Sequence, residues 1–523
     1  MKNKIIIFVS LLLMSGMIRA QEAATTRISK SVTIYTDIMR QLDMNYTDTL
    51  DYDLLTKTAI RQMLYKIDPY TVYIPKEEDE SLKMMTTGKY GGIGSIIMQR
   101  DSVVMISEPY KGMPAADNDV QAGDILLEVD GMDCRNKTTK EVSDKLRGKA
   151  GTEVCLKLKR DGVDTVNIRK YLRREIQLPA VTDYAALDDK QTGYILFSEF
   201  TSSSAQDFLV AVEDMVNNHG IKQLVIDLRG NGGGIIDEAI RIVGFFVDKG
   251  TDVVSTKGKI PQSNRVYTTS TTPLYKDMPI AILVDGQTAS AAEIVSGSLQ
   301  DLKRATLIGQ RTFGKGLVQS IRPVAYDGHL KVTTAHYYLP SGRCIQAIDY
   351  SERQKGNELK KDTAGGIQPD IVLTDSSKLD ITYSLYRQQM IFDYATRYHA
   401  THPTIASPET FTLTDEELDD FIAFLREKNY TYETETAKYI NEVLDVASHE
   451  DIDTAFVAEL RALKERMTPD YREVILRRKD EVKQLLGEEI VERYYFQEGR
   501  VAFVLRYDKG LKAARETLNN SRK

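Results

Sequence analysis

Leu224-Val225-Ile226-Asp227-Leu228-Arg229-Gly230-Asn231-Gly232-Gly233-Gly234 reads as a short apolar strand running into a glycine-rich turn. Ile235, Ile236, Ala239, Ile240 and Val243 then recur at helical spacing. A strand that feeds a helix through a tight turn is the building unit of an α/β layer. Such a turn aims backbone N–H groups at an anion, but alone it serves close packing or phosphate binding equally well. It has neither the Lys-Ser/Thr of a P-loop nor the spacing of a dinucleotide fingerprint. The same unit recurs downstream, where Ile280–Val284 leads through Asp285-Gly286-Gln287-Thr288-Ala289-Ser290 into a helical run from Ala291 to Val295. Ser290 thus tops a strand and opens a helix, where the dipole and unbonded N–H groups favour a developing negative charge. A serine there is equally an ordinary N-cap.

Working outward, residues 179–373 alternate strand and helix. Residues 89–178 switch to short strands with glycine turns: Ile93, Ile96 and Ile97, then Val103–Ile106, Ile125–Val129 and Val154–Leu158. Residues 21–88 read as a helical N-terminal segment from Ile28, Val32, Ile34, Ile38 and Leu42, broken at Asp68-Pro69. Residues 374–523 read as helix after helix. The clearest starts at Thr414, with Glu417 completing a capping box, Leu413 and Leu418 as a staple, and Leu418, Phe421, Ile422 and Leu425 as an apolar stripe. Further stripes run through Ile440, Val443 and Leu444; Phe456, Val457, Leu460 and Leu463; and Val474, Ile475, Val482, Leu485 and Leu486. All of these are expected to be core. The fold class expected is therefore multidomain α+β, in keeping with 523 residues at about 150 per domain.

Composition narrows the function. With 69 basic against 76 acidic residues and a net charge of −7, the chain is no general nucleic-acid binder. Six histidines leave little room for a His-built metal centre, and three cysteines (Cys134, Cys155 and Cys344) suggest no structural disulfide. Lys2 and Lys4 precede an apolar run from Ile5 to Met17, with Ala20 at the break, so residues 1–20 are expected to be a signal peptide and the protein to be exported. The run is short of the roughly 20 residues that span a bilayer. No other long apolar run follows, so the remainder is expected to be water-soluble.

A nucleophilic Ser290 needs a base. No Gly-x-Ser-x-Gly elbow surrounds it and no histidine stands out, but Arg311-Thr312-Phe313-Gly314-Lys315-Gly316-Leu317-Val318-Gln319 offers a lysine between two glycines. Burial can lower a lysine pKa by up to about 3–5 units from about 10.4. The flanking glycines would let backbone press close and shield the amine. On an extended chain Gln319 shares a face with Lys315 and could orient it. A lysine in such a loop is otherwise a solvated surface residue.

Taken together, these motifs resemble the C-terminal processing peptidases, the tail-specific serine proteases of family S41. The Asp227–Gly234 turn, the Thr288–Ile294 turn, Phe313–Gly316, the run Thr333–Arg343 and Gly366-Ile367-Gln368-Pro369-Asp370 fall in that family's order over residues 28–373. The resemblance implies a crotonase-like α/β protease core, with Ser290 as nucleophile, Lys315 as general base and Gln319 as its orienting partner. It implies an oxyanion hole from the N–H groups of Ala291 and Gly233. Arg229 and Glu293 are expected to be scaffold. Tyr90-Gly91-Gly92-Ile93-Gly94 is similar to the carboxylate-binding loop of a PDZ domain, so Gly91, Gly92, Ile93 and Gly94 are implied to take a peptide's C-terminus beside Ile93–Ile97. Arg147 is the candidate for coupling capture to catalysis.

The resemblance thus implies an exported, periplasmic serine endopeptidase that could lie peripheral to the membrane, acting on protein substrates with exposed C-termini. It needs no cofactor, could be served by an adaptor lipoprotein, and could form a homo-oligomer through its C-terminal helices. The chain departs from the family at Gly232, usually Pro, at Ala292, commonly a small polar residue, and in a charged insertion over residues 347–364, read as a solvated loop. Two other readings compete. A non-catalytic PDZ scaffold would have no use for Ser290 and Lys315 at this spacing, and an acyl-CoA enzyme would need an adenine surface that the sequence does not display.

Overall fold

The computed structural model describes residues 26–160, 166–354, 357–359, 365–374, 381–450 and 452–520. The expected signal segment lies outside them, as do Lys355, Lys360 and Lys361 of the insertion. The chain divides into two compact units, one ending at Tyr73 and one from Ile74 onward.

In the first unit residues 26–45 are helical, and a second helix, α1 (Tyr52–Tyr65), starts at Asp51, whose carboxylate accepts from the Leu54 N–H at 2.9 Å. At the expected break Asp68 Oδ1 accepts from the N–H groups of Tyr70 and Thr71 and turns the chain. Ile28, Val32, Ile34 and Ile38 are exposed.

The second unit opens with a short helix, Asp79–Thr87, and continues in small strands: β1 (Lys89–Gly92), β2 (Ser95–Arg100), β3 (Val103–Pro109), β4 (Ile125–Val129), then helix α2 (Thr139–Leu146), β5 (Glu153–Lys159), β6 (Asn167–Leu172) and β7 (Arg174–Gln177). Strands β2 to β6 form one sheet in the order β2-β3-β4-β5-β6, so β2 is an edge strand, and β1 pairs with β7. Val154, Leu156 and Leu158 of β5 are buried while the residues between them are not, which is the period-two pattern of a strand with one face on a core. That core includes Ile93, Val104, Ile106, Leu126 and Val142.

From Val181 strands and helices alternate: β8 (Val181–Ala186), β9 (Thr192–Phe197), α3 (Ser204–His219), β10 (Gln223–Asp227), α4 (Ile236–Gly244), β11 (Asp252–Gly258), β12 (Ile280–Val284), α5 (Ala291–Asp301), β13 (Thr306–Gly309), β14 (Leu317–Pro323), β15 (His329–Tyr338) and β16 (Ile371–Val372). The main sheet runs β8-β9-β10-β12-β13-β16, parallel from β9 to β16. Every residue of β10 and β12 is buried, as expected for parallel strands covered on both faces. Phe208 and Val212 of α3, Ala239 and Val243 of α4, and Ile294 and Val295 of α5 cover one face, meeting Ile195, Ile226 and Ile282. A second sheet joins β11, β15 and β14.

The remaining chain is helical and includes α6 (Met390–Thr401), α7 (Asp415–Glu427), α8 (Lys479–Val504) and α9 (Lys509–Asn520). The Thr414–Glu417 capping box forms, and Leu418, Phe421, Ile422 and Leu425 are buried. The expectation of core fails for the stripe Phe456, Val457, Leu460 and Leu463: helix Thr454–Met467 has no buried residue and Phe456 is 49% exposed. Val443 is likewise exposed on the neighbouring helix Glu435–Ala447. These two helices pack mainly on each other, so amphipathic spacing leads there to a shared seam rather than to a covered face. Helix α8 breaks at Phe496, whose φ of 56° and ψ of −161° are non-helical. Helix α9 returns to the main sheet, where Leu511, Ala514 and Leu518 cover Tyr194, Val225, Ala281, Leu283 and Ile308. Among the described residues no helix is long and apolar enough to cross a membrane.

Candidate active site

Parallel strands end at one edge of their sheet, so the loops after β10 and β12 emerge side by side. The first is bound to the second at three points. Leu228 O accepts from Thr288 Oγ1 at 2.9 Å, Asn231 O from the Ala289 N–H at 2.9 Å, and both oxygens of Asp285 from the Gly230 N–H at 3.1 Å. Asn231 is fully buried and donates from Nδ2 to Phe197 O at 2.7 Å. Gly233, at φ 93°, lies directly against the serine turn. A Cβ there would fall 2.6 Å from Ala289 O, 2.7 Å from Ser290 Cβ and 2.8 Å from Ala291 N.

Ser290 occupies the N-cap position of α5 with φ 58° and ψ −117°. A non-glycine residue with a left-handed φ stores strain, of order 1–3 kcal/mol, and such strain clusters at functional sites. Helix geometry leaves the Ala291 N–H, first in the helix, without an intrahelical acceptor.

The lysine loop is tied to this turn through one side chain. Glu293, one turn into α5 and fully buried, accepts from the Ser290 N–H at 2.9 Å and from the Lys315 N–H at 2.9 Å, both at Oε2. Two nitrogens within 2.9 Å of one oxygen are at most 5.8 Å apart. Its other oxygen accepts from Thr312 Oγ1 at 2.6 Å and the Gly314 N–H at 2.8 Å. Burial pushes the Glu293 carboxyl above its usual range, and the four donors push back. Tyr337 on β15 makes a second tie: its hydroxyl donates to Ser290 O at 3.1 Å and its N–H to Gly316 O at 2.9 Å. Complete burial raises the Tyr337 hydroxyl pKa well above its ordinary value, which keeps it a donor. Gly314, at φ 85°, has no room for a side chain against Ala347 and Gly366, so the loop before Lys315 is pressed onto its neighbours.

The sequence-derived residues divide accordingly. Ser290, Ala291, Gly233 and Lys315 converge on one place. Lys315 stands two residues before β14, and Gln319 on β14 donates from Nε2 to Thr333 Oγ1 at 3.2 Å on the paired strand. The Gly233 N–H already donates to Asn231 Oδ1 at 2.8 Å. Glu293, expected as scaffold, ties the serine turn to the lysine loop, and the Ser-x-x-Glu spacing of a capping box signals half of that tie. Tyr337, Thr312 and Asn231 are not singled out by the sequence.

Of the peptide-binding candidates, Gly91 and Gly92 lie in β1, while Ile93 and Gly94 connect it to the edge strand β2. Ile93 is buried and its carbonyl accepts from the Ala115 N–H at 2.8 Å; Gly94 O accepts from the Tyr110 N–H at 2.9 Å. Arg147 ends α2 and places its guanidinium 5.3 Å from the Tyr90 ring centre, while the next residue, Gly148, donates to Gly91 O at 3.0 Å. Arg173, not singled out from sequence, is buried and donates to the carbonyls of Lys145, Leu146 and Glu153, fixing the C-terminal end of α2.

Arg229, at the mouth of the first turn, is gripped from two sides. Its Nε donates to Asp227 Oδ1 at 2.9 Å, and its Nη2 to Asp508 Oδ2 at 2.5 Å from the far end of the chain. Among the described residues no group of three or more His, Cys, Asp or Glu side chains is arranged to hold a metal ion.

Comparison with known proteins locates these parts. Residues 191–373 match peptidase family S41, residues 105–160 a PDZ domain, and residues 381–518 the probable PDZ-protease C-terminal helical domain. A carboxy-terminal-processing protease of Bartonella bacilliformis is 34% identical over 381 residues, 71% of this chain and 83% of that one. The carboxy-terminal processing protease CtpA of Bacillus subtilis is 30% identical over 329 residues, 63% of this chain and 69% of that one. Among solved structures, the photosystem II D1 C-terminal processing protease is 26% identical with a TM-score of 0.39, covering 66% of this chain and 88% of that one.

Proposed function

The chain belongs to the carboxy-terminal processing proteases of peptidase family S41, and on that premise we propose that it cuts exported proteins at or near their C-termini with Ser290 and Lys315. Ser290 Oγ adds to the scissile carbonyl as its proton passes to the neutral Lys315 amine, which Gln319 orients. The N–H groups of Ala291 and Gly233 hold the oxyanion, the latter in exchange for Asn231 Oδ1. Collapse expels the C-terminal amine, which takes the proton from Lys315 and leaves an acyl ester on Ser290. Water, deprotonated by Lys315, then attacks the ester; the fragment leaves as a carboxylic acid and Ser290 recovers its proton.

One observation carries this reading: the Glu293 carboxylate accepts from the Ser290 and Lys315 N–H groups through a single oxygen. A buried carboxylate satisfied by backbone of both loops holds nucleophile and base in fixed relation, the proximity that general-base catalysis requires. The main sheet with α3, α4 and α5 is the layer we read as crotonase-like. The substrate C-terminus adds as a strand beside β2, its carboxylate in the Gly91–Gly94 loop, with Arg147 linking that loop to the rest of the molecule through Tyr90. Residues 1–20 direct export to the periplasm. Tyr439, Val443, Val446 and Phe456 are exposed on the helices through which the C-terminal domain would meet a second copy or an adaptor lipoprotein.

The test is cleavage of casein or of a C-terminally tagged peptide by the wild type, Ser290→Ala and Lys315→Ala. Both variants should lose activity, the lysine variant by about 10²- to 10⁴-fold; normal proteolysis in either removes the dyad. With acylation limiting, wild-type activity should rise with pH as Lys315 becomes neutral, and a flat response between about pH 6 and 9 contradicts a lysine base.

A further inference from the structure

Asp508 stands 279 residues beyond Arg229 and meets it inside the fold. Its carboxylate is 6% exposed. Oδ1 accepts from the Leu511 N–H at 2.9 Å, capping α9, and from Arg229 Nη1 at 3.3 Å; Oδ2 accepts from Arg229 Nη2 at 2.5 Å. On its other side Arg229 binds Asp227, which is 2% exposed and also accepts from the Tyr194 hydroxyl at 2.8 Å. A planar guanidinium forked between two buried carboxylates is fixed in direction as well as in place. Burial would lower the Arg229 pKa, but the hydrogen bonds and charges of Asp227 and Asp508 more than offset it, so the side chain stays charged. A cavity of about 280 Å³, lined by Tyr194, Arg229, Arg500, Leu505 and Asp508 among others, opens beside the pair.

From Arg229 the backbone enters the turn that reaches Ser290. The Gly230 N–H meets the Asp285 carboxylate, Asn231 O takes the Ala289 N–H, and Asn231 Oδ1 holds the Gly233 N–H. We propose that Asp508 is a positioning residue for catalysis: by clamping Arg229 against Asp227 it fixes the path of the 229–233 turn, and with it the place of Gly233 beside Ser290. The C-terminal helical domain is then part of the catalytic unit. This inference rests on the Ser290–Lys315 reading above.

The test uses the full chain with Asp508→Asn. Asparagine is as good an N-cap as aspartate, so the Leu511 bond survives while the charge facing Arg229 is lost. Activity is expressed per active site, titrated with a fluorophosphonate that labels the serine. The expected result is a kcat per titrated site about 10- to 100-fold lower, below the cost of losing an oxyanion donor outright, with KM for the tagged peptide changed less than about twofold. Asp508→Glu, which keeps the charge, should recover much of the loss. An unchanged kcat per titrated site overturns the proposal, including the case in which total activity falls only because fewer sites titrate. Ser290→Ala in the same assay separates the two claims. If it is inactive while Asp508→Asn is normal, the clamp alone fails; if it retains activity, both fail.

Discussion

Glu293 is the residue that ties the serine turn to the lysine loop, and its chemistry makes a sharp prediction. A carboxylate can accept from all four of its donors, whereas the amide of Glu293→Gln presents one oxygen and one NH2 group. Two N–H or O–H groups then face a donor, and each buried polar group left unsatisfied costs about 1–3 kcal/mol. Glu293→Gln should therefore lower kcat by about 10²-fold and also lower the melting temperature, whereas Ser290→Ala, which keeps the Cβ and with it the strain at φ 58°, should leave melting close to the wild type. Gly233→Ala should be inactive and destabilised by more than about 2 kcal/mol in denaturant melts, because its Cβ meets backbone of residues 289–291 at a positive φ. Ser290 and Lys315 were legible in the sequence because each sits in a local motif with its own spacing. The bonds from Glu293 to Gly314 and Lys315 were not, since they cross 21 and 22 residues through tertiary contact alone.

At the scale of elements, the short strands were the easiest to read. Alternation in β5 needs only that one face be apolar, and the strand falls where that pattern lies; β4 falls where its apolar run lies, though a bulge between Leu126 and Glu128 breaks its alternation. Helical stripes were read less well. The stripe of α7 is buried under α6 and α8, while the equally regular Phe456–Leu463 stripe is not, because periodicity reports which face is apolar and not what covers it. The edge strand β2 yields a prediction of its own. A peptide held by backbone N–H groups around its carboxylate should bind at least about 10-fold better than the same peptide amidated at its C-terminus, measured by fluorescence polarisation with Ser290→Ala. Equal binding would contradict capture of the C-terminus at the Gly91–Gly94 loop.

At the scale of the whole molecule, the PDZ-like sheet and the C-terminal helices are joined by charge. Arg100 on β2 makes a paired contact with Asp393 on α6, at 2.6 and 2.7 Å, and Glu108 on β3 faces Glu492, Arg493, Gln497 and Arg500 of α8. Burial, with Glu108 and Glu489 nearby, pushes the Glu492 carboxyl up to about 7 despite Arg500, and burial raises Glu108 as well. An acid whose pKa is raised on folding binds more protons in the folded chain than in the unfolded one, so stability falls as pH rises from about 4.5 to 7, by up to about 3 kcal/mol for Glu492. Denaturant melts at pH 5 and 8 should show that fall, and Glu492→Gln should flatten it; a chain more stable at pH 8 through these groups would refute it. Such long-range pairs, like the one between Arg229 and Asp508, leave no trace in local sequence pattern. The cover of the main sheet has the same origin. Leu511, Ala514 and Leu518, which close its second face, come from the last helix of the chain, nearly two hundred residues after Lys315. A ribosome delivers the serine turn and the lysine loop long before it delivers that cover. Until α9 has been made, a nascent chain carries the serine turn and the lysine loop on a sheet bare on one face, and proteolytic loss of residues 509–520 would bare that face again.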